Sequence, residues 1–567
     1  MALASLPQES PTVPRRPPPK LKESRVFVKR ADRLARAVIT FGGIAIIIAV
    51  FLILVLILAE SVPIWRGASG GRAASLQFPT GDTDPVLLAM ADPYGEIVVV
   101  LRSSGVFQRV DRKSNRVVEA IPVPELSGRR VTSASRVSGR DLLALGLDDG
   151  RLLFTDARIR VDFATTGRSI RFLARGAGGA QALPAGTPVS FAAADAEEEG
   201  TMALAASGGR VAFVWLPEES EEAESPAAEP AAARVVDLTD RLSGSAATSV
   251  AISENGVDGV IGTNRGEVIP VTVSGGEPSH EEPLVVEPES PAPITALGYL
   301  LGGQSVVVGD EKGRVSSAFR VRSSENPQER PYRKIHAFAP MPAAITAIGI
   351  STRNKGFVTG DAKGNLWLRH NTSEQTLLRF SGRGSPLVSA SITPQGNGLY
   401  DVTRDGVVTF YQGSNPHPET TLKTLFGKVW YEGYEGPEYA WQSTGGTDDF
   451  EPKLSLTPLI YGTLKATFYA LLFAIPTAVA AGLYASTFAH PAVRRTVKPV
   501  VEIMAALPSV VIGFLAGLWL APMVERATVG TLLMLPVVPL LLVAAAVAVR
   551  ALPRSVRVKI RPMGEMA

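Results

Sequence analysis

Few residues in this chain have the type and spacing to do chemistry, and most of those lie in long apolar runs near its C-terminal end. Lys465 sits about six residues into a run that begins at Leu459, and Pro476, Pro508 and Gly513 fall inside such runs, with Ser509 beside Pro508. A lysine in a hydrocarbon layer either snorkels its long stem to the interface or faces a polar path for an anion. Proline and glycine inside a span interrupt helical hydrogen bonding, and the free N-terminal ends of broken helices attract anions. Lys465, Pro508, Ser509 and Gly513 are therefore the candidate lining of an anion path. The simplest role for Gly462, Gly482, Gly513 and Gly517 is close packing of helices, and Glu502 is expected near water at the cytoplasmic start of its span.

Other chemistries have little support. The five histidines (His280, His336, His370, His417 and His490) are scattered without metal-ligand spacing. There is no GxxxxGK[ST] loop for ATP, no GxSxG elbow and no HExxH pair. Asp448 and Asp449 fit a loop or cap better than a pair of general acids. With no cysteine, disulfides, thiolate metal sites and cysteine nucleophiles are excluded. No catalytic, cofactor or metal residue is assigned, and the chain is not expected to be an enzyme. A net charge of +3 points to no nucleic-acid partner.

The elements that must position these residues are membrane spans. Three apolar segments run from Leu459 to Phe488, Val500 to Val524 and Gly530 to Val549. A fourth, Ala37 to Ala59, has 23 uncharged residues, which as a helix reach about 34 Å and cross a bilayer core of roughly 30 Å. No small-residue cleavage site follows it, only ESVPIW, so it is expected to be a retained anchor rather than a signal peptide. Residues 1–36 carry nine Lys or Arg against Glu9, Glu23 and Asp32 and read as a disordered cytoplasmic tail with room for one short helix near the membrane. The basic clusters at Arg494, Arg495 and Lys498 and in RALPRSVRVKIRP then also fall inside. Four spans with both termini cytoplasmic, and residues of about 60–457 in the periplasm of a bacterium, satisfy the positive-inside rule. Trp430, Tyr431, Tyr434, Tyr439 and Trp441, just before the second span, suit the lipid headgroup region.

Between the anchor and these aromatics the pattern changes to short β-type runs with glycine turns. The unit recurs at Gly105, Gly150, Gly209, Gly266, Gly313, Gly364 and Gly406, in strings such as LGLDDGRLLFTD, VVGDEKGRVSSAF and VTGDAKGNLWLR. A hairpin turn needing positive φ explains each glycine. Steps of 42 to 59 residues, with about four strands per step, indicate a β-propeller. Seven turns predict seven blades, with six or eight as alternatives because end units are often shared. The blades resemble WD repeats in architecture only, since the Gly-His and Trp-Asp dipeptides are absent. The acidic, Pro/Ala-rich stretches Pro217 to Ala233 and Gly275 to Pro293 are expected to be solvated loops at blade edges.

YEGYEGPEYAWQS, GTDDFEPKLSLTPLIYGTLKATFYA and VKPVVEIMAALPSVVIGFLAG resemble the permease subunit of bacterial phosphate ABC transporters, the PstC type, in its long variant with a large periplasmic domain. The resemblance covers about Trp430 to Val549. It implies one half of an inner-membrane channel for inorganic phosphate, opened by alternating access. The implied partners are a second permease subunit of the PstA type, a cytoplasmic ATPase dimer, a periplasmic phosphate-binding protein and membrane lipid. Permeases of this family continue with further spans and a Gly-containing motif that docks into the ATPase. This chain ends at RPMGEMA without one, so the expectation is a C-terminally truncated or frameshifted core, or a second polypeptide carrying the rest.

The expected fold is thus mixed: about four α-helical spans forming a partial ABC-importer permease core, plus a large periplasmic all-β domain, a seven-bladed propeller. The expected domains are a tail (1–36), an anchor (37–59), the propeller (66–425), a periplasmic or interfacial linker (426–456), the permease core (457–550) and a basic cytoplasmic tail (551–567). The other reading is a membrane-anchored propeller scaffold, or a remnant permease without transport, in which the spans serve only as anchors.

Overall fold

Strand-forming runs separated by glycine turns do fold as consecutive four-stranded antiparallel sheets. A computed structural model of the chain describes residues 25–77, 84–112, 114, 116–137, 141–164, 167–197, 200–217, 233–254, 258–274, 277–279, 281–322, 330–447, 450–507 and 509–553. The chain divides into two units, Met1–Pro458 and Leu459–Ala567.

The first unit opens with helix α1, Arg25–Ser61. A β-propeller of seven blades follows. Six blades are built from consecutive strands at 86–122, 131–181, 191–237, 247–285, 294–338 and 345–380. The seventh joins the strands of 387–414 to the first strand of the domain, Ser69–Gln77. That strand pairs antiparallel with Val407–Ser414, from Ser69 opposite Ser414 to Gln77 opposite Val407. The ring is thereby closed by hydrogen bonds between its two ends, which leaves no blade-sized gap and satisfies an otherwise open sheet edge.

Two local devices repeat around the ring. The turn between the second and third strands places glycine at φ between +79° and +91° at Gly105, Gly150, Gly266, Gly313, Gly364 and Gly406, a region that side chains disfavour. In the third blade the left-handed residue is Gly208 (φ +52°) rather than Gly209, because the turn closes one residue earlier. A second glycine lies four positions before the turn glycine at Gly146, Gly262, Gly309 and Gly360. A Cβ there would come within 2.6 to 2.7 Å of Val189, Ile294, Ile345 and Leu387 respectively. Those four residues stand at or just before the innermost strand of the following blade, so the missing side chain is what lets adjacent blades meet. Their apolar side chains fill the seams: Val98, Val99, Val100, Val260, Val306 and Val358 are fully buried.

Of the acidic stretches, residues 218–232 lie outside the described residues. The other is not a free loop. Glu277–Pro278 and Leu284–Val285 both pair with Glu267–Ser274 and form the outer edge of the fourth blade. Arg320 ties it down, contacting Glu281 at 2.5 Å and Asp258 at 2.9 Å while lying over the Tyr332 ring. A pairable outer edge and a nearby guanidinium outweigh the low β propensity of this stretch.

Four helices are long and apolar enough to cross a membrane: 30–64, 457–488, 509–526 and 528–551. The second continues from helix α3 (Thr457–Leu483, with α2 given below) into a π-helical turn, Tyr484–Phe488. The segment expected to start a span at Val500 instead closes a separate helix, α4, Pro491–Ala506. The chain breaks at Leu507 and re-enters a helix, α5, at Ser509–Leu515. A π-helical turn (Ala516–Leu520) and α6 (Ala521–Arg526) complete that span, and α7 (Thr528–Ala551) follows after a single residue.

Candidate functional site

The candidate path residues sit on these helices as follows. Lys465 lies in the third turn of α3, exposed. Ser509 is the first residue of α5 and Gly513 lies within it, both exposed, with open space around the Gly513 Cβ position. Pro508 is outside the described residues. The structure does not gather Lys465, Ser509 and Gly513 around a cavity, and no described residue after Ser455 is buried. Pro476 does not break α3, which runs through it; the interruption falls between Ala506 and Ser509. There α5 begins with its first N–H groups lacking helical partners.

The basic cluster has local work to do. The Arg494 guanidinium donates to the Ala485 carbonyl at 3.0 Å and also to that of Ser486, covering carbonyls of the π-helical turn that follows α3. The His490 Nδ1 accepts from the Ala492 N–H at 3.3 Å and caps α4. Lys498 and Glu502 face each other one turn apart at 4.0 Å.

The segment that leads into α3 is the best-defined polar site in the chain. It starts with a short helix, α2, Leu422–Phe426, whose first turn is closed by reciprocal Thr421–Thr424 bonds. The aromatics expected at the headgroup level divide into two groups. Tyr431 is buried, and Trp430 stands edge-on to Phe319 of the fifth blade and donates to the Tyr434 carbonyl at 2.8 Å. Tyr439 and Trp441 remain exposed. Gly433, in the left-handed region, turns the chain between the aromatics. This allows Tyr431, Tyr434 and Phe450 to surround the Lys453 ammonium at 5.1 to 5.9 Å. Trp430, Tyr431 and Tyr434 therefore belong to a folded pad against the propeller, while Tyr439 and Trp441 face outward.

A buried ionic group fastens the pad. Lys355, in the sixth blade, binds the Glu432 carboxylate at 2.6 Å and donates to the Leu301 carbonyl at 2.6 Å. The two side chains are 3% and 6% exposed. Ser305 donates to the other Glu432 oxygen at 2.5 Å, and the Glu432 N–H donates to Glu451 at 2.9 Å. Thr372 donates to the second Glu451 oxygen. Burial, with the charge of Glu432 next to it, pushes the Glu451 carboxyl above its ordinary range. A second clamp is more exposed: Glu374 accepts from His336 and Lys423 at 2.9 and 2.7 Å, which holds its carboxyl down at about 2. Beside it, His370 is fully enclosed, and burial with the Lys355 charge lowers it to about 3. Its Nδ1 lies 3.1 Å from the Ser373 hydroxyl, which donates to the carbonyl of Pro418, just ahead of the pad, at 2.8 Å. The pad ends where α3 starts: Leu456 N–H donates to the Leu425 carbonyl at 2.8 Å, and Thr457 reaches the Phe426 carbonyl at 3.4 Å.

Sequence reasoning missed Lys355, Thr372, Glu432 and Glu451. The available signal was the glutamate set between aromatics and glycines in YEGYEG, since a headgroup-level segment has no need of tight turns. Its partner Lys355 lies 77 residues away and carries no local mark.

No protein-family model matches the chain. Two transport proteins match parts of it. A probable ABC transporter permease protein, YqgH, of Bacillus subtilis is 27% identical over 119 residues, 19% of this chain and 38% of that protein. A probable phosphate transport system permease protein, PstA, of Methanocaldococcus jannaschii is 39% identical over 67 residues, 12% of this chain and 24% of that protein. The chain carries a region similar to ABC transporter permeases, and it spans well under half the length of each. Both are named as permeases rather than enzymes. Among solved structures, the β-propeller domain of Myceliophthora thermophila Cps50 (Swd1) aligns with 59% of this chain and 99% of its own, at 12% identity and TM-score 0.41. Chaetomium thermophilum Raptor aligns with 63% of this chain and 30% of its own, at 13% identity and TM-score 0.42.

Proposed function

We propose that this chain is an inner-membrane permease subunit of an ABC importer for inorganic phosphate, contributing part of the translocation path. The observation that carries the reading is the similarity of one region to transporter permeases, one of them named for phosphate transport, in a chain with four apolar helices of spanning length. A PstA-type permease supplies the other half of the channel. A cytoplasmic ATPase dimer drives it, and a periplasmic phosphate-binding protein delivers the anion. The N-terminus is cytoplasmic, and residues of about 60–457 are periplasmic, with the pad linking the propeller to α3. Lys465 faces the path, and the helix interruption between Ala506 and Ser509 offers helix N–H groups to the phosphate.

The test is ATP-driven phosphate uptake by proteoliposomes holding this chain with the second permease, the ATPase and the binding protein. Uptake is expected, and Lys465→Glu should abolish it while the chain still inserts. Unchanged uptake in Lys465→Glu would leave that lysine as an interfacial snorkeller. Uptake no greater than in vesicles without this chain would favour the membrane-anchored scaffold.

A further inference from the structure

One blade departs from the others. The third and fourth strands of the second blade, Arg151–Ala164 and Gly167–Gln181, are 14 and 15 residues long. The equivalent strands of the first blade have 6 and 7, and those of the fifth also 6 and 7. The second strand of the blade pairs with Leu152 to Asp156, and the Ala157 N–H donates to the Asp141 carbonyl at 2.7 Å; beyond Ala157 the two strands pair with each other and, among the described residues, with no other strand. One face of this overhang, with Ala157, Ile159, Val161, Ile170, Phe172 and Ala174, packs onto the core of the first blade. Arg109 donates to the Ile170 carbonyl at 3.1 Å, and Arg168 binds Glu96 at 2.6 Å while its guanidinium stacks 4.0 Å over Tyr94. The overhang is thus held in place.

Among the described residues, no layer of the protein covers its other face. Arg158, Arg160, Arg171 and Arg175 are exposed there with Leu173, which is 52% exposed. Among the described residues, Asp156 and Asp162 pair with Arg158 and Arg171, and the Asp141 charge also lies near Arg158. Arg160 stands directly across the ribbon from Arg171, a like-charge pairing that disfavours the ribbon by itself and is relieved by an external anion. At the tip, Phe163 is 73% exposed and meets Tyr94 edge-on at 6.4 Å between ring centres.

The direction of the tip follows from the topology. Ala164 ends the third strand of its blade, as Ser414 ends the third strand of the seventh. Equivalent strand ends lie on one face of a propeller, and Ser69 is paired to Ser414 on that face. Only residues 62–68 separate Ser69 from the end of α1 at Ser61, a stretch that reaches at most about 25 Å. The face bearing the basic, aromatic-tipped ribbon is therefore tethered next to the membrane that α1 enters.

We infer that this ribbon docks the propeller on the membrane surface, with its arginines on anionic phospholipid headgroups and Phe163 at the acyl boundary. Clustered basic residues beside an exposed aromatic ring match an anionic interface in charge and polarity. The assignment rests on the reading of α1 as a membrane span.

The chain has no cysteine, so Phe163→Cys gives a unique site for an environment-sensitive fluorophore. Lys363→Cys, exposed at a turn on the opposite face, is the control. The full chain is reconstituted in phosphatidylcholine vesicles with or without about a third phosphatidylglycerol. With the anionic lipid, the probe at 163 should shift to the blue and be quenched by lipid-borne quencher, and the probe at 363 should not. Arg158→Ala/Arg160→Ala/Arg175→Ala should weaken that docking by about a hundredfold, read as the phosphatidylglycerol needed for half-maximal quenching, with an unchanged circular dichroism melt. Equal quenching at 163 and 363, equal quenching with and without phosphatidylglycerol, or an unaffected triple variant would overturn the docking. Failure of the protein to float with vesicles is a different result and would remove the membrane reading itself.

Discussion

Val98, Val99 and Val100 of the propeller are wholly shielded by neighbouring strands, whereas Leu518, Trp519 and Val529 of the helical unit lie open, as do the apolar side chains around them. Both regions are rich in the same aliphatic residues. The difference is where their neighbours come from. A propeller blade buries its two faces against the blades on either side, all of one chain, so every seam is written in this sequence. An apolar helix of spanning length satisfies its own backbone and leaves its side chains to lipid or to another subunit. Damage to the propeller or pad should therefore be visible in the chain alone. Damage to the exposed helix faces should be visible only where lipid or a second subunit covers them.

The largest effect is expected at the pad. Lys355→Ala leaves the buried Glu432 carboxylate without its cation, and breaking such a pair costs about 3–5 kcal/mol. The pad should detach, so limited proteolysis should cut between Phe426 and Lys453 in the variant and leave that stretch intact in the native chain. A protected pad in Lys355→Ala would show that Ser305 and the backbone suffice to hold Glu432, and that the ionic group is incidental.

Next comes a glycine of the propeller. A Cβ at Gly349 would lie 2.0 Å from the Ala390 carbonyl oxygen and 2.8 Å from its carbon. That is backbone of the next blade, which cannot turn aside. Gly349→Ala should cost about 3 kcal/mol, the upper range for overpacking, and lower the propeller's melting temperature with the helices unaffected.

These two sites also mark how far the sequence could be read. Blade number and turn positions were legible because a left-handed glycine every 42 to 59 residues is a local requirement, visible in one hairpin at a time. The shift from Gly209 to Gly208 is the size of error such reasoning makes. The edge role of 277–285 was not legible, since it needs Arg320 and a vacant strand edge that only the folded blade supplies. Nor was the pad: Tyr431 and Trp430 have the composition of a headgroup belt, and only Phe319 and Lys355, both distant in the chain, turn them inward. For the candidate path, Lys465, Ser509 and Gly513 lie on apolar helices and Pro508 is outside the described residues; a lining role is a property of surfaces packed around them, which a single hydropathy pattern does not encode.

A smaller effect separates the clamp beside the pad from its surroundings by pH. The folded chain holds His370 near 3, while the unfolded imidazole protonates near 6.5. The unfolded state thus takes up the proton first as pH falls. The contribution of neutral His370 is complete above pH 6.5 and is lost progressively below it. Between pH 7 and 5 the loss is about 2 kcal/mol. Asp401, raised by burial to about 6, and Glu451 act in the opposite sense as they take up protons, so the comparison must be made against His370→Gln. The difference between the two stability curves, by urea melts at each pH, should open by that amount on acidification. Parallel curves would mean that the folded state protonates His370 as readily as the unfolded one.

The smallest effect in the isolated chain tests the other half of the contrast. Gly513 lies within α5 with nothing near its Cβ position. Alanine is the better helix former by about 1 kcal/mol, so Gly513→Ala should leave the detergent-solubilised chain as stable as before or slightly more so. In the reconstituted importer the same methyl would meet whatever packs against α5, and uptake should fall. A destabilised isolated chain would mean that α5 has a neighbour within this polypeptide. Undiminished uptake would mean that position 513 faces lipid, and the candidate path would then have to run along another face of the span, with Ser509 and Lys465 tested in its place.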